Sequence, residues 1–164
     1  MTEPPSQDRR FANAYSDGNV FCLQSLAHHR IRVVDPAASP SVLSSDASDA
    51  ELGQAVFDAL DASRFVSAEE MGSLRDRKTS TERYESWVAM LVERGGYAER
   101  QALFGNLHLC WIERREDVIR IKPSRKDGLE GWSGDKALED VIMSSTSAAW
   151  EIGTALRVAF GRCV

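Results

Sequence analysis

Between Leu107 and Lys122 the chain changes period. Leu107, Leu109 and Trp111 alternate with His108, Cys110 and Ile112; beyond Arg114-Arg115-Glu116-Asp117, Ile119 and Ile121 alternate with Arg120 and Lys122. Alternation on both sides of a short charged turn is the pattern of two half-buried strands joined as an antiparallel hairpin. It commits the chain to a sheet with at least one face that must be covered. Pro123 has no N–H to give to a ladder, so the chain leaves the sheet there. It then runs into a polar, glycine-rich stretch that holds a tryptophan in Gly131-Trp132-Ser133-Gly134.

A second pair of strands is expected near the start. Val20, Phe21, Cys22, Leu23 and Leu26 form an apolar run, and Ile31 and Val33 alternate with Arg30 and Arg32, with His28 and His29 between the two. Asp35-Pro36 ends the second strand. The segment from Arg9 to Tyr15 reads as a short helix or as a stretch lying on the body, and residues 37–46 as a Ser/Pro/Ala loop.

Three helices carry start signals. Ser48 and Glu51 have the spacing of a capping box ahead of the stripe Leu52, Ala55, Val56, Ala59, Leu60. Thr79 and Glu82 have the same spacing ahead of Tyr84, Trp87, Val88, Leu91 and Val92, with Gly95-Gly96 as the stop. A shorter helical piece, Ala68 to Leu74, precedes it. The last helix carries Ile152, Ala155, Leu156, Ala159 and Phe160, after a strand over Leu138 to Met143. Shifted by one hundred positions, Ser44, Ser45, Glu51, Gly53, Ala55 and Ala59 fall on Ser144, Ser145, Glu151, Gly153, Ala155 and Ala159. Glycine inside a helix costs up to ~1 kcal/mol relative to alanine, so Gly53 and Gly153 mark two places of close approach. The match suggests that both helices pack on one sheet in similar ways. The expected fold is α+β, in the order β-β-α-α-α-β-β-β-α, with a mainly antiparallel sheet and the helices grouped on one face. Residues 1–8 are expected to be a disordered tail and residues 9–164 a single domain.

Composition narrows the functional classes. The 164 residues carry a formal charge of −5, which disfavours nucleic acid as a direct ligand and suits a basic partner. Cys22, Cys110 and Cys163 are odd in number, far apart and set in apolar surroundings, as expected of reduced thiols in a cytoplasmic protein. Neither a signal-peptide core nor a run of ~20 apolar residues is present, so no membrane association is expected. The motifs HExxH, GxSxG and GxxxxGK[ST] are absent. His28 and His29, adjacent on a strand end, point to opposite faces and do not suit one metal ion. None of the common catalytic signatures is thus present, and no metal or disulfide is required for folding.

Two polar groups remain. Lys122, Ser124 and Arg125 suit an anion; the simplest such reading is a small anion- or nucleotide-binding domain using Lys122 and Arg125, against which stands a charged edge strand that deters aggregation. Asp127, Glu130, Asp135, Glu139 and Asp140 surround Trp132, the composition of an aromatic contact with an acidic rim facing a basic partner. Trp132 folded back as a core plug is the other reading. Asp58 and Asp61 form part of a second acidic run along the first helix.

The chain resembles the CdiI family, the immunity proteins of bacterial contact-dependent growth inhibition systems. The likeness is carried by the block from Asp46 to Val56, by Ser63-Arg64-Phe65-Val66-Ser67 and by Glu82-Arg83-Tyr84-Glu85-Ser86-Trp87. It continues through Ala102-Leu103-Phe104-Gly105-Asn106-Leu107, Ile121-Lys122-Pro123-Ser124-Arg125, Trp132-Ser133-Gly134 and Ile152-Gly153-Thr154-Ala155-Leu156. The first forty residues match least. The resemblance implies an inhibitor rather than a catalyst, with no cofactor or metal, that binds the C-terminal toxin domain of such a system and covers its active site; the free chain is expected to be a monomer. Toxins of this kind are often nucleases, whose basic clefts suit an acidic antidote. Toxin contact is expected first at Asp127, Glu130, Trp132, Asp135, Glu139 and Asp140, then at Asp58 and Asp61.

Overall fold

The structure, a computed structural model, describes residues 7–164. Most of the expected disordered tail, residues 1–6, lies outside the described residues.

The frame is one sheet built from two hairpins. In the first, β1 (Arg10–Ser16) pairs antiparallel with β2 (Val20–His28); in the second, β6 (His108–Arg115) pairs with β7 (Val118–Pro123). The hairpins join where β1 runs antiparallel to β6, with Ala12 opposite Ile112. Beyond β2 lie β3 (Arg32–Val34), β4 (Ser41–Ser44) and the two-residue β5 (Arg64–Phe65), which is the parallel member. Beyond β7 lies β10 (Val141–Ser144). A separate ribbon pairs β8 (Arg125–Lys126) with β9 (Trp132–Ser133). The α+β class and the mainly antiparallel sheet agree with the sequence reading, and the element order does so broadly. Two segments do not. Residues 10–16 form neither a helix nor a surface stretch but a central strand, and the loop expected over 37–46 contains β4.

Helices α1 (Asp49–Ala62) and α5 (Ala149–Arg162) lie side by side on one face of the sheet. Strand side chains of one parity meet them: Ala12, Ala14, Phe21, Leu23, Cys110, Ile112, Ile119 and Ile121, under Leu52, Val56, Leu60, Ile152 and Leu156. Ser48 caps α1 by accepting from Glu51 N (3.1 Å), as its spacing predicts. The remaining helices are α2 (Ala68–Leu74), α3 (Arg77–Gly95) and the short α4 (Arg100–Phe104). The expectation that all helices share one face fails here. Tyr15, Cys22 and Leu109, of the opposite parity, meet Trp87, Val88 and Leu91 of α3 and Leu103 and Phe104 of α4. Central strands bury both faces, and this sheet needs a second cover. Helix α3 also starts earlier than expected: Asp76, not Thr79, is its cap, accepting from Thr79 N (3.0 Å) and Thr79 Oγ1 (2.6 Å). A carboxylate satisfies orphan N–H groups more strongly than a hydroxyl. Gly96 ends the helix at φ 68°.

The hundred-residue match is a structural repeat. Strands β4 and β10 and helices α1 and α5 have bounds one hundred positions apart. In both copies the strand turns into the helix through the same bonds, Ala47 N to Ser44 O and Ser147 N to Ser144 O, each 3.1 Å. The hairpin turns correspond too, with Gly18 (φ 94°) and Glu116 (φ 54°) both left-handed. The copies are related by an approximate two-fold between β1 and β6. At the helix crossing, the Cα of Gly53 faces the carbonyl of Ala149, and the Cα of Gly153 that of Asp49.

Candidate functional site

The sequence-predicted acids divide among three places. Asp127 and Glu130 sit on the turn between β8 and β9. That turn is tight: Asp127 N donates to Gly131 O (2.9 Å), and Gly128 adopts φ 83°. Glu130 is clamped. Arg100 donates to it through Nε (3.0 Å) and Nη2 (2.5 Å), and Tyr84 Oη donates to Glu130 Oε1 (2.7 Å). Arg100 also reaches Glu85 (2.5 Å). The Arg100 hydrogen bonds hold the Glu130 carboxyl below the usual carboxylate range, against the opposing effect of burial and with help from Tyr84. Asp127 makes no ion pair among the described residues.

Asp135, Glu139 and Asp140 line a different surface, a shallow mixed-charge depression shared with Arg120, Lys122 and Lys136 beside the edge strand β10. Asp135 accepts from Ala137 N (2.8 Å) and pairs with Arg125; the Ala137 N–H and then Arg125 lower its carboxyl. Asp140 pairs with Arg120 (2.8 Å). Asp58 and Asp61 lie on α1, across the sheet from α3; Asp61 pairs with Arg114 (2.9 Å), and Asp58 accepts from Gln54 Nε2 (2.9 Å). Glu130, Asp135, Asp140 and Asp61 thus spend much of their charge within the chain.

Trp132 is a core plug. Its Nε1 donates to Leu107 O (2.9 Å), its ring meets Tyr15 edge-on at 5.4 Å, and Lys126 Nζ lies 4.8 Å from its centre. Lys126 in turn donates to Phe104 O (2.8 Å) and Leu129 O (2.6 Å). The trio of the anion reading is dispersed: Ser124 is fully buried and donates to Leu109 O (2.6 Å), Arg125 is taken by Asp135, and Lys122 faces the depression. The histidines hold structural places, His28 edge-on to Phe11 and Phe65, and His29 with Nδ1 2.9 Å from Val66 O. Among the described residues no three His, Cys, Asp or Glu side chains converge to hold a metal, and no helix is long and apolar enough to cross a membrane.

A groove of about 420 Å³ lies between α2–α3 and strands β1–β3. Tyr15, Val33, Val34, Leu74, Tyr84 and Trp87 give it apolar walls, and Arg75 and Arg83 stand at its rim. Arg83 Nη2 donates to Leu74 O (2.8 Å), tying α3 to the end of α2. On its floor lies Gln24, 5% exposed, whose Oε1 has no partner; Asn13, its neighbour across the β1–β2 ladder, also leaves Oδ1 unpaired. Buried acceptors of this kind favour a partner that brings N–H or O–H donors. Tyr84 links the two surfaces, since its ring lines the groove and its hydroxyl holds Glu130. The sequence reading placed Tyr84 and Trp87 on a helix stripe, and the stripe is real; that half of it borders an open groove depends on where β3 and α2 end, which has no local signal.

A family model described as CDI immunity protein, CdiI, matches residues 10–163. The chain is 34% identical to the immunity protein CdiI-YPIII of Yersinia pseudotuberculosis serotype O:3, over 93% of this chain and 94% of that protein. Among solved structures it is similar to a protein of unknown function from Neisseria meningitidis (TM-score 0.90, 31% identity, all of both chains). It is also similar to a chain of the CdiA-CT/CdiI toxin and immunity complex from Y. pseudotuberculosis (TM-score 0.87, 32% identity, 99% of this chain and all of that one).

Proposed function

The chain belongs to the CdiI family of CDI immunity proteins, and from that premise we propose that it binds the C-terminal toxin domain of a CdiA-type protein in the cytoplasm and neutralises it by covering its active site. The observation that carries this reading is the likeness, over nearly the whole chain, to a component of a toxin and immunity complex. The toxin is a nuclease with a basic cleft; the charge of −5 supports this, because an acidic protein is drawn to a surface made for phosphates. The free chain acts as a monomer and carries no catalytic activity of its own.

The toxin docks on the joined surface of groove and turn. Tyr84, Trp87 and Val34 supply the desolvated centre, Gln24 on the groove floor accepts a hydrogen bond from the toxin, and Asp127 with Glu85 and Glu130 forms the acidic rim. A stable complex buries ~1,600 Å² in total around such a centre. Asp135, Glu139 and Asp140 form a more distant part of the rim, and Asp58 and Asp61 lie on the far side of the sheet.

The test is co-expression with the toxin domain encoded beside this gene, read by pull-down and by growth. A stable complex and rescued growth are expected; a toxin that kills equally with and without this protein overturns the reading. Tyr84→Ala and Gln24→Ala should weaken the complex at least tenfold, while Asp127→Lys should slow association more at low salt than at high salt. Full affinity in all three variants would remove this surface from the interface.

A further inference from the structure

Two of the three cysteines, 53 positions apart, meet in the fold: Cys110 Sγ of β6 and Cys163 Sγ at the end of α5 are 3.7 Å apart. All three are free thiols. We propose that Cys110 and Cys163 form a redox modification site in which a hydroperoxide oxidises Cys163 and Cys110 then closes a reversible disulfide.

The pair is divided into a reachable and a sheltered thiol. Cys163 is partly exposed where α5 ends, whereas Cys110 is fully buried beneath α5. The hydrogen bond from Cys110 brings the Cys163 thiol down to about 7 against the effect of burial, assisted by Ser124. Burial keeps the Cys110 thiol well above its ordinary value, so it retains its proton. The thiolate is the nucleophile in such chemistry. The third thiol, Cys22, is buried, pushed up to about 11 by burial, and takes the Trp87 indole N–H at 3.4 Å. The backbone around Cys163 is held in place: Val164 N donates to Ser124 O (3.2 Å), and Lys126 N donates to Val164 O (2.7 Å). The sulfurs, 3.7 Å apart, must close by about 1.7 Å to reach the ~2.05 Å of a disulfide. The repeat-related position at the end of α1 is Ser63, whose hydroxyl donates to Leu26 O (2.6 Å) and accepts from Phe11 N (3.0 Å). Only one half of the repeat has the redox pair.

The chemistry balances with a peroxide as the oxidant. The Cys163 thiolate attacks one peroxide oxygen, the O–O bond breaks, and with one proton this gives the Cys163 sulfenic acid and water or an alcohol. The Cys110 thiol then displaces the sulfenic oxygen, which leaves with the thiol proton as water. Two thiols lose two electrons to one peroxide, and a dithiol reductant reverses the reaction.

The experiment uses the full-length, reduced protein treated with equimolar hydrogen peroxide, then denatured, alkylated, digested and analysed by mass spectrometry without reductant. The expected product is a Cys110–Cys163 cross-linked peptide with Cys22 alkylated, and a Tm that rises on oxidation and returns with dithiothreitol. Cys110→Ala should leave a Cys163 sulfenic acid that dimedone captures; in Cys163→Ser, Cys110 should stay alkylatable at the same dose. Wild-type protein in which Cys110 remains free while Cys163 proceeds to sulfinic acid or to an intermolecular dimer would overturn the proposal, whatever the fate of the variants.

Discussion

Gly53→Ala tests the packing of the two repeat helices. An alanine Cβ at 53 would overlap Ala149 O and lie 2.5 Å from its carbonyl carbon; at 153 it would overlap Asp49 O and lie 2.6 Å from that carbonyl carbon. The overlap with the carbonyl oxygen is the tighter contact, so either substitution forces α1 and α5 apart by at least about 1 Å. A gap of that size forfeits a quarter to a half of the dispersion between facing atoms, here those of the fully buried Leu52, Val56, Ile152 and Leu156. Alanine regains up to ~1 kcal/mol of helix propensity, and overpacking costs about 1–3 kcal/mol or more. The net loss expected for each variant, at the upper end of that cost, is about 2 kcal/mol, or about 4–8 °C in Tm for a chain of this size. One separation relieves both clashes, so the double variant should lose clearly less than the sum, with a coupling of at least ~1 kcal/mol. Guanidinium unfolding followed by far-UV circular dichroism measures all of this. Gly161, in α5, and Gly72, in α2, have nothing within 4 Å of a new Cβ; alanine there should be neutral or stabilising by up to ~1 kcal/mol. If Gly53→Ala matched Gly161→Ala, or the double variant were strictly additive, the crossing would not be the close contact described.

Further outcomes follow from the polar anchors. Trp132→Phe should cost about 1 kcal/mol through its hydrogen bond to Leu107 O, and Trp132→Ala about 3 kcal/mol through lost packing; a stable Trp132→Ala chain that fails only in toxin binding would return this residue to the interface. Asp35 is buried, which opposes its ionisation, but the Arg64 fork (2.6 and 2.9 Å) and Ala37 N–H outweigh burial and hold its carboxyl below the usual range. Its folded value is the depressed one, so its contribution is present above the unfolded value of about 3.9 and is lost as pH falls through the folded value. Asp35→Asn should therefore flatten the acid limb of stability, measured as Tm between pH 6 and pH 2.5; an unchanged limb would show that the Arg64 pair is not the source. Glu130→Gln should leave the Arg100 guanidinium without its main partner and detach the β8–β9 turn locally, seen as faster amide exchange over residues 127–131, with global stability within about 1 kcal/mol.

What could be read from the residues depended on how local the signal was. Ser48 with Glu51 and the alternation about residues 114–117 each lie within a few positions, and each marked a real element; the match of Gly53 to Gly153 spans one hundred positions but is a repeat of the chain against itself, legible without any tertiary contact. Strand β1 escaped because Ala12 and Ala14, facing α1, are as small as helix residues, which hides the period of Phe11, Asn13 and Tyr15 on the other side. Strand β4, four residues among serines and prolines, has too little length to show a period. For Trp132 the residues left two readings open, a binding contact and a core plug, because spacing cannot show that Arg100, Arg125 and Arg120 reach three of the five acids around it. The groove and the Cys110–Cys163 pair are products of tertiary placement alone.

The two covers of the sheet differ in what holds them, and this sets where the protein can diverge. Helices α1 and α5 meet backbone to backbone at Gly53 and Gly153, a contact that almost any added atom disrupts. Helix α3 stands off on the ring of Trp87, which packs on Tyr15 of the sheet and beside Tyr84 of its own helix, and rings can be exchanged for other rings or aliphatics with modest loss. One side of the molecule is therefore an intolerant chassis and the other a face that accepts replacement. An arms race with a changing opponent would rewrite residues 67–106 while leaving the paired helices almost untouched, and a chimera that transplants that segment between relatives is the form in which specificity would travel.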